Sequence, residues 1–192
     1  NEPYTIRWFT PKTEVELCGH ATLAAARIFF DEYLPPQATK VRFLSKSGEL
    51  LALKRGEMIF LDFPADQPVE LENNSSVMEA LNAVPFTLFR GKHDFLVRFE
   101  SEAEIQNLKP DFQKLGNLDC RGLIITASGS GMNIDFVSRF FAPRVGINED
   151  PVTGSAHTLL APYWAKVLGK KELVARQLSE RGGKLECVLI DD

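Results

Sequence analysis

The sequence predicts an α+β fold made of two related halves, with largely antiparallel sheet structure and two main buried helices. Three observations predict this class: ten strand-like runs between turn signals, two helical runs that are apolar almost all round, and a motif order that occurs twice. The 192 residues are enough for one large domain or two small ones.

The strand-like runs are rich in β-branched and aromatic residues. They cover residues 4–9, 41–45, 49–54, 57–63, 86–90, 94–99, 122–127, 134–141, 173–178 and 184–190. Turn signals at Ser47-Gly48 and Arg55-Gly56 predict two hairpins, because glycine supports the tight turns that connect adjacent strands. Much of the sheet structure is therefore expected to be antiparallel.

The two main helices are predicted at residues 20–33 and 155–168. Their apolar side chains lie almost all round, which predicts burial and not an amphipathic surface helix. We expect the second helix to end at Gly169 as a C-cap. Pro162 lies inside it and is expected to kink it or to weaken one turn.

Two lesser helices are predicted from capping-box patterns at Ser76–Glu79 and Ser101–Glu104. The segment 64–75 contains two prolines and little apolar content, so it is the best candidate boundary. The expected domains are residues 1–66, as the remainder of an N-terminal half, and residues 67–192, as a C-terminal half without its closing strands. Strand-like runs close to both ends suggest that the chain is truncated at each of them.

Composition argues against several classes of function. A formal charge of −4 without blocks of like charge argues against nucleic acid or an anionic membrane as a partner. No apolar stretch approaches the roughly 20 residues that span a bilayer. Cys18, Cys120 and Cys187 form no CxxC pair, which argues against a disulfide framework or a zinc site, and only three histidines are present. The expected location is cytoplasmic.

A repeated motif predicts an internal duplication. Arg7-Trp-Phe-Thr-Pro11 resembles Arg139-Phe-Phe-Ala-Pro143 in the second half of the chain. Cys18-Gly-His-Ala-Thr-Leu-Ala-Ala25 resembles Thr153-Gly-Ser-Ala-His-Thr-Leu-Leu160, in the same order along the chain. Both units therefore contain a strand, a loop that is slightly longer in the second copy, and a glycine that precedes an apolar helix.

The two helix starts are candidate anion sites. Gly19 and Gly154 are expected to allow a tight turn and to leave the first amide N–H groups uncovered. Those groups and the positive end of the helix dipole favour an anion. Duplicated units commonly pack around a pseudo-twofold axis, so both helix starts are expected to face one pocket for a small carboxylate. Polar side chains cluster beside them: His20, Asp150, Thr153 and Ser155.

These motifs resemble those of the phenazine-biosynthesis PhzF family, which has the diaminopimelate-epimerase-like fold. The matching stretches are R-W-F-T-P-x-x-E-V-x-L-C-G-H-A-T-L-A, R-F-F-A-P-x-x-G-I-x-E-D-P-V-T-G-S-A-H, S-G-E-L at 47–50 and R-G-G-K-L at 181–185. The resemblance implies two halves, each a largely antiparallel or mixed sheet wrapped around a central buried helix. It also implies a homodimeric isomerase without metal or organic cofactor, whose site lies in the cleft between the halves. The characterised activity of the family is an isomerisation of a dihydro-hydroxyanthranilate by proton transfer.

The resemblance also implies roles for particular residues. Asp150 and His20 match catalytic positions that orient an amine or hydroxyl and relay a proton. Gly19, Gly154 and Ser155 match positions that hold the substrate carboxylate, and Thr153 is a candidate beside them. Simpler interpretations remain open: Asp150 as a turn or N-cap residue, His20 as a locally bonded helix-start residue, and Ser155 as a helix cap.

Two departures from the family pattern bear on function. The family's principal acid–base residue is a glutamate in a Ser-Glu-Thr loop, and these 192 residues contain no such string. An isomerase, active as the complete protein, and a catalytically inactive small-molecule-binding or scaffold protein of the same fold are therefore both retained. Related epimerases use a thiol at each helix start, but only Cys18 stands at such a place, so a two-thiol mechanism is disfavoured.

Overall fold

The computed structural model describes residues 3–9, 13–72, 74–85 and 87–190. The chain forms two compact units, Asn1–Pro64 and Ala65–Asp192, whereas the sequence-based boundary lies between residues 66 and 67. Thr10 and Pro11 of the first repeat motif lie outside the described residues, as does Phe86 at the start of a predicted strand.

The first unit contains a four-stranded sheet and one main helix. Its elements are β1 (Tyr4–Thr5), β2 (Trp8–Phe9), β3 (Glu14–Val15), α1 (Gly19–Ile28) with a following π-helical turn (Phe29–Tyr33), β4 (Lys40–Ser45), β5 (Gly48–Arg55) and β6 (Met58–Asp62). The sheet order is β1-β4-β5-β6, with β1 parallel to β4. Both predicted hairpins form, β4–β5 and β5–β6, and β2 pairs separately with β3.

Helix α1 is only partly buried, which differs from the prediction that it is buried all round. Ala26 and Phe30 pack into the core of this unit, and Thr22 is fully buried. In contrast, Leu23 is 39% exposed and Ile28 is 54% exposed. The sheet covers one side of the helix, so the apolar character of its other side does not lead to burial among the described residues.

The second unit is built on a seven-stranded mixed sheet. Its strands are β7 (Val69–Leu71), β8 (Thr87–Arg90), β9 (Asp94–Arg98), β10 (Gly122–Ser128), β11 (Phe136–Phe141), β12 (Glu172–Gln177) and β13 (Gly183–Val188). They follow the order β13-β12-β11-β10-β9-β8-β7, with β9–β10 and β11–β12 parallel and the other pairs antiparallel. Its helices are α2 (Ser75–Leu81), α3 (Glu102–Asn107), α4 (Phe112–Gly116) and α5 (Gly154–Leu168).

The second unit has a separate core on each face of this sheet. Neighbouring residues of β10 alternate between the two cores, because successive side chains of a strand point to opposite faces. Leu123 and Ile125 pack with α2, α3 and α4, whereas Ile124 packs with α5. Helix α5 is buried along most of its length and contributes the fully buried Trp164. It ends at Gly169 in the left-handed conformation, and both features confirm the prediction.

The capping predictions for the lesser helices have different outcomes. Ser101 caps α3 as predicted: its hydroxyl oxygen accepts a hydrogen bond from the Glu104 N–H at 3.3 Å. The prediction for Ser76 is wrong, because α2 begins at Ser75 and its N-cap is Asn74, whose side-chain oxygen accepts from the Ser76 N–H at 2.9 Å. Asparagine satisfies the same free amide as well as serine does, so the sequence pattern does not choose between them.

Within the described ranges, no helix is at once long and apolar enough to cross a membrane.

Candidate functional site

The starts of α1 and α5 are built in the same way, each within its own unit. Cys18 and Thr153 are the N-cap residues, and both have extended backbone conformation. In α1 the Thr22 hydroxyl donates to the Cys18 carbonyl oxygen at 2.7 Å. In α5 the His157 Nδ1–H donates to the Thr153 carbonyl oxygen at 2.8 Å. Donor and acceptor occupy the same places in the two copies of the repeated motif.

The loops before the two helices carry equivalent ion pairs. The Arg7 guanidinium donates to both carboxylate oxygens of Glu14, at 2.9 and 3.1 Å. Arg139 does the same with Glu149, at 2.7 and 2.9 Å. Both glutamates lie the same number of residues before the first residue of their helix. The arginine–glutamate ion pair is therefore present in both units although the second loop is longer. Glu149 is thereby occupied by Arg139, which leaves Asp150 as the carboxylate beside α5.

A third shared contact joins each loop to the hairpin that follows its helix. The Ser47 hydroxyl donates to the Glu16 carbonyl oxygen at 2.9 Å, and the Ser179 hydroxyl donates to the Pro151 carbonyl oxygen at 2.7 Å. Three contacts with matching positions in the two units support the internal duplication that the motifs predict. They also show that the two helix starts depend on the same structural supports.

Both helix starts leave amide groups open. Among the described residues, no acceptor is found for the N–H groups of the first three residues of α1 (Gly19, His20, Ala21) or of α5 (Gly154, Ser155, Ala156). The Ser155 hydroxyl is likewise without a hydrogen bond to another described residue, so the simpler interpretation of Ser155 as a helix cap is not supported. These donors lie at the positive end of a helix dipole, where an anion is favoured.

The two glycines at the helix starts do not use the left-handed backbone conformation that favours glycine. Gly19 and Gly154 begin their helices, and the glycines with positive φ in the described chain are at other positions. Glycine is therefore not required here by backbone conformation. Glycine adds no side chain beside the first amides, although Gly19 is itself buried and only Gly154 is partly exposed.

Asp150 is held at the start of α5 from two directions. Its backbone N–H donates to the Phe140 carbonyl oxygen at 3.0 Å, which connects it to β11. Its Oδ2 accepts a hydrogen bond from the Thr153 hydroxyl at 2.5 Å. In the described part of the chain its Oδ1 has no hydrogen-bond partner. Asp150 is thus not an N-cap, and one carboxylate oxygen remains open beside the amide groups of α5.

Thr153 is buried and its polar groups are engaged internally. Its hydroxyl donates to Asp150, and its N–H donates to the side-chain oxygen of Gln177 at 2.8 Å. The Gln177 amide N–H group in turn donates to the Thr153 hydroxyl oxygen at 3.1 Å and to the Asp150 carbonyl oxygen at 2.7 Å. Thr153 therefore holds Asp150 in place, and its own hydroxyl is not open to a ligand.

Gln177 is the residue that the sequence analysis missed. It lies in β12, where Leu173, Ala175 and Gln177 alternate with more exposed positions and point to the core. A glutamine in an apolar alternation is a signal that was available, because buried amides almost always have a structural partner. The identity of that partner follows only from the fold, which brings β12 beside the loop before α5.

His157 supports the start of α5 as a neutral group. Burial lowers the pKa of its imidazole to about 4, and its Nδ1–H is used by the Thr153 carbonyl. In the described chain its Nε2 has no hydrogen-bond partner. Near neutral pH the imidazole therefore carries no charge and adds no positive potential at the helix start.

In the first unit, His20 is exposed at the second position of α1. Its Nε2 lies 3.4 Å from the Cys18 Sγ. Cys18 is partly buried, and its place in the second unit is taken by Thr153. The predicted site residues therefore fall into two sets, Gly19 and His20 at the start of α1, and Asp150, Thr153, Gly154 and Ser155 at the start of α5.

No cluster of three or more histidine, cysteine, aspartate or glutamate side chains suited to a metal ion is found among the described residues. The arrangement at α5 consists of open amide and hydroxyl donors beside a carboxylate. Such an arrangement can bind a carboxylate ligand and place a proton donor or acceptor next to it.

Comparison with known families and sequences identifies similar proteins. A family model described as phenazine biosynthesis-like protein matches residues 1–190. A Halalkalibacterium halodurans protein named as an uncharacterized isomerase is 46% identical over 191 residues, which cover 98% of this chain and 72% of that protein. A Pseudomonas aeruginosa protein with the same kind of name is 48% identical over 188 residues, covering 98% and 71%. The mouse phenazine biosynthesis-like domain-containing protein 2 is 40% identical over 210 residues, covering 98% and 71%.

Solved structures show the same relationship. A PhzF-family protein of Enterococcus faecalis superposes with a TM-score of 0.90 at 41% identity, covering 99% of this chain and 72% of that one. A hydroxyproline epimerase of Agrobacterium vitis superposes with a TM-score of 0.60 at 9% identity, covering 97% and 62%. At that identity the second likeness concerns the fold alone. Together they show the diaminopimelate-epimerase-like fold that the motifs predict.

Proposed function

Since the chain belongs to the family of phenazine biosynthesis-like proteins, we propose that it is an isomerase of the PhzF type. It moves a proton on a small metabolite that carries a carboxylate. Three curated bacterial relatives, all more than two-fifths identical to this chain, have isomerase in their names. The observation that carries the proposal is the start of α5, where open amide donors follow shortly after the carboxylate of Asp150.

Each residue has a distinct role in this proposal. The N–H groups of Gly154 and Ser155, with the Ser155 hydroxyl, bind the substrate carboxylate and stabilise negative charge that develops during proton transfer. Asp150 uses its open Oδ1 to orient an amine or hydroxyl and to relay a proton. From the resemblance we also predict that His20 orients the substrate and relays a proton, as Asp150 does, and that the Gly19 N–H helps to bind the carboxylate. That both helix starts serve one substrate, in a homodimeric protein without a cofactor, stays a prediction from the resemblance.

A second candidate is a binding protein of the same fold without catalytic activity. It is favoured by one observation, the lack of a Ser-Glu-Thr string in these 192 residues. The two candidates agree on carboxylate binding at α5 and differ in whether a carbon-bound proton is exchanged. Deuterium incorporation from D₂O into a panel of amino and hydroxy carboxylates, measured by mass spectrometry, separates them. Incorporation supports the isomerase, and binding without incorporation supports the binding protein.

The binding role is tested by Ser155→Ala. A hydrogen bond to a charged group contributes about 1.5–3 kcal/mol, so the Kd for anthranilate, a stable aromatic carboxylate, should rise by roughly tenfold or more. Ser76→Ala is the matched control, because Ser76 is the second residue of α2 as Ser155 is of α5. Equal affinities of the two variants, measured by calorimetry, would count against α5 as the carboxylate site.

A further inference from the structure

We infer that Gln177 is the positioning residue of this site: its side-chain amide sets the place of the Asp150 carboxylate and of the open amides of α5. The inference rests on the proposed function and extends it to a residue outside the matched motifs. Gln177 does not touch the ligand in this interpretation. It acts through Thr153 and through the backbone of Asp150.

The hydrogen-bond partners show which side-chain atom of Gln177 is the amide oxygen and which is the amide nitrogen. Its oxygen accepts the Thr153 N–H at 2.8 Å, and its nitrogen donates to the Asp150 carbonyl oxygen at 2.7 Å and to the Thr153 hydroxyl oxygen at 3.1 Å. The Thr153 N–H can only donate and the Asp150 carbonyl can only accept, so the amide cannot be turned round. The side chain is 1% exposed, which makes an unpaired partner costly.

These contacts orient the Thr153 hydroxyl. Because its oxygen accepts from Gln177, its hydrogen is directed to the Asp150 Oδ2. One amide thus fixes the N-cap residue, the backbone of Asp150 and, through one hydroxyl, the carboxylate. Preorganisation of this kind increases affinity and rate because the groups are not ordered anew when the ligand binds.

The duplicated first unit provides an internal comparison. The hairpin serine that supports the helix start is present in both units, as Ser47 and Ser179. The residue two positions before it is Gln177 in the second unit and Ser45 in the first, and the Ser45 hydroxyl donates to Gly48 in its own hairpin. At the offset that relates Gly19 to Gly154, Val15 of the first unit corresponds to Asp150 of the second. The glutamine contact is therefore found in the unit whose helix start has a carboxylate.

The first experiment needs no ligand. Gln177→Met keeps a side chain of similar length and removes all three hydrogen bonds. Amide hydrogen exchange, measured by mass spectrometry, should become several-fold faster for residues 150–156. Thr126→Val is the matched control: Thr126 is fully buried and bonds to Trp164 and Val137, and none of its hydrogen bonds to described residues reaches the loop before α5. Unchanged exchange of residues 150–156 in Gln177→Met would overturn the inference.

The second experiment measures positioning directly, with anthranilate as the probe. Gln177→Met should raise its Kd about tenfold, by analogy with the lower end of the loss known for outer hydrogen-bond partners of metal ligands, and Thr126→Val should leave it unchanged. A Kd for Gln177→Met within twofold of the wild type would also overturn the inference. If wild type binds no carboxylate at all, the proposed function fails, and the exchange result alone decides the role of Gln177.

A conservative variant allows a further measurement, the pH dependence of affinity, which would not change if the role of Gln177 were only structural. In Gln177→Glu the ionised carboxylate cannot donate to the Asp150 carbonyl, whereas the protonated carboxyl group can. Burial favours the protonated form, so the affinity of this variant for anthranilate, relative to wild type at each pH, should recover as the pH falls. A constant ratio across the pH range would contradict the proposed role of the amide nitrogen as a donor.

Discussion

At the scale of single residues, the polar groups at the start of α5 are of two kinds. Some are hydrogen-bonded within the protein, and others are available to a ligand. Thr153 and Gln177 satisfy one another and hold Asp150. The groups without a hydrogen-bond partner among the described residues are the Asp150 Oδ1, the Ser155 hydroxyl and the first amides of the helix. The sequence named Asp150, Thr153 and Ser155 together, but it could not distinguish the supporting threonine from the two residues that remain open.

Replacement of Asp150 by asparagine should remove proton transfer with little change in stability. Asparagine keeps an oxygen that accepts from the Thr153 hydroxyl but does not take up a proton at neutral pH, and acid–base groups contribute roughly 10²–10⁴-fold in rate. Deuterium incorporation into a responsive carboxylate should fall at least about 100-fold. Asp119→Asn is the control, because this side chain is 95% exposed. An undiminished rate in Asp150→Asn would show that Asp150 is not the proton relay.

His157 should make the folded state sensitive to acid. Burial lowers its pKa to about 4, while in the unfolded chain it titrates near 6.5. The unfolded state therefore binds the extra proton between these values, so stability is complete above pH 6.5 and falls as the pH decreases towards 4. The full loss is roughly 3 kcal/mol.

The test is urea denaturation of wild type and His157→Leu at pH 7 and pH 4.5. Leucine also loses the bond to the Thr153 carbonyl, so the difference between the two pH values is compared and not the absolute stability. The wild type should lose more stability on acidification than His157→Leu does. His93→Gln, at an exposed position, should behave as wild type. Equal pH dependence of all three would refute the burial argument for His157.

At the scale of elements, the sequence predicted most strands and helix α5 within one or two residues. It also predicted the start of α1, but the predicted helix includes the π-helical turn Phe29–Tyr33 that follows α1. Turn glycines defined the hairpins, and Gly169 ended α5. Two short strands, β3 and β7, were not predicted because two or three residues carry too little alternation to recognise. Helix α4 was missed for the same reason, since it has only five residues and its N-cap Asp111 resembles any turn aspartate.

The hairpin between β12 and β13 should control the loop before α5 through close packing. A Cβ atom added to Gly183 would lie 2.4 Å from a methyl carbon of Val152. Gly183→Ala should therefore displace this loop, with a loss of about 1–3 kcal/mol, and should weaken anthranilate binding. Gly131→Ala is the matched control, because the nearest atom to its added Cβ is 3.8 Å away.

A second substitution tests whether this contact is the cause. Val152→Ala removes the methyl groups that clash, so the double variant Val152→Ala with Gly183→Ala should regain part of the lost stability and affinity. Chemical denaturation and calorimetry on the four members of this cycle give the coupling between the two sites. Strictly additive effects would exclude the clash as the reason for the loss.

At the scale of the whole molecule, the chain consists of two units that each have their own core. Each unit also has one of the two tryptophans of the sequence, Trp8 in the first and Trp164 in the second. Both side chains are buried. The fluorescence of each therefore reports the unfolding of its own unit when the other is replaced by phenylalanine.

A core substitution in the first unit should destabilise the unit that Trp8 reports on and leave the unit that Trp164 reports on unchanged. Phe43 is 1% exposed, and truncation of a buried phenylalanine costs about 3–5 kcal/mol. Phe43→Ala should lower the urea midpoint measured in a Trp164→Phe background and leave the midpoint in a Trp8→Phe background unchanged. An equal shift of both midpoints would show that the two units unfold as one cooperative body.

The sequence by itself determined the family, the duplicated α+β fold and the positions of the two helix starts. These depend on local signals, such as turn glycines, strand alternation and a motif repeated at a fixed spacing, and each can be recognised in a short stretch of chain. Only the tertiary structure decided how far α1 is buried, which glutamate pairs with Arg139, and that Gln177 supports Asp150. These outcomes depend on contacts between residues far apart in the chain, and such contacts form only when the sheet brings their strands together.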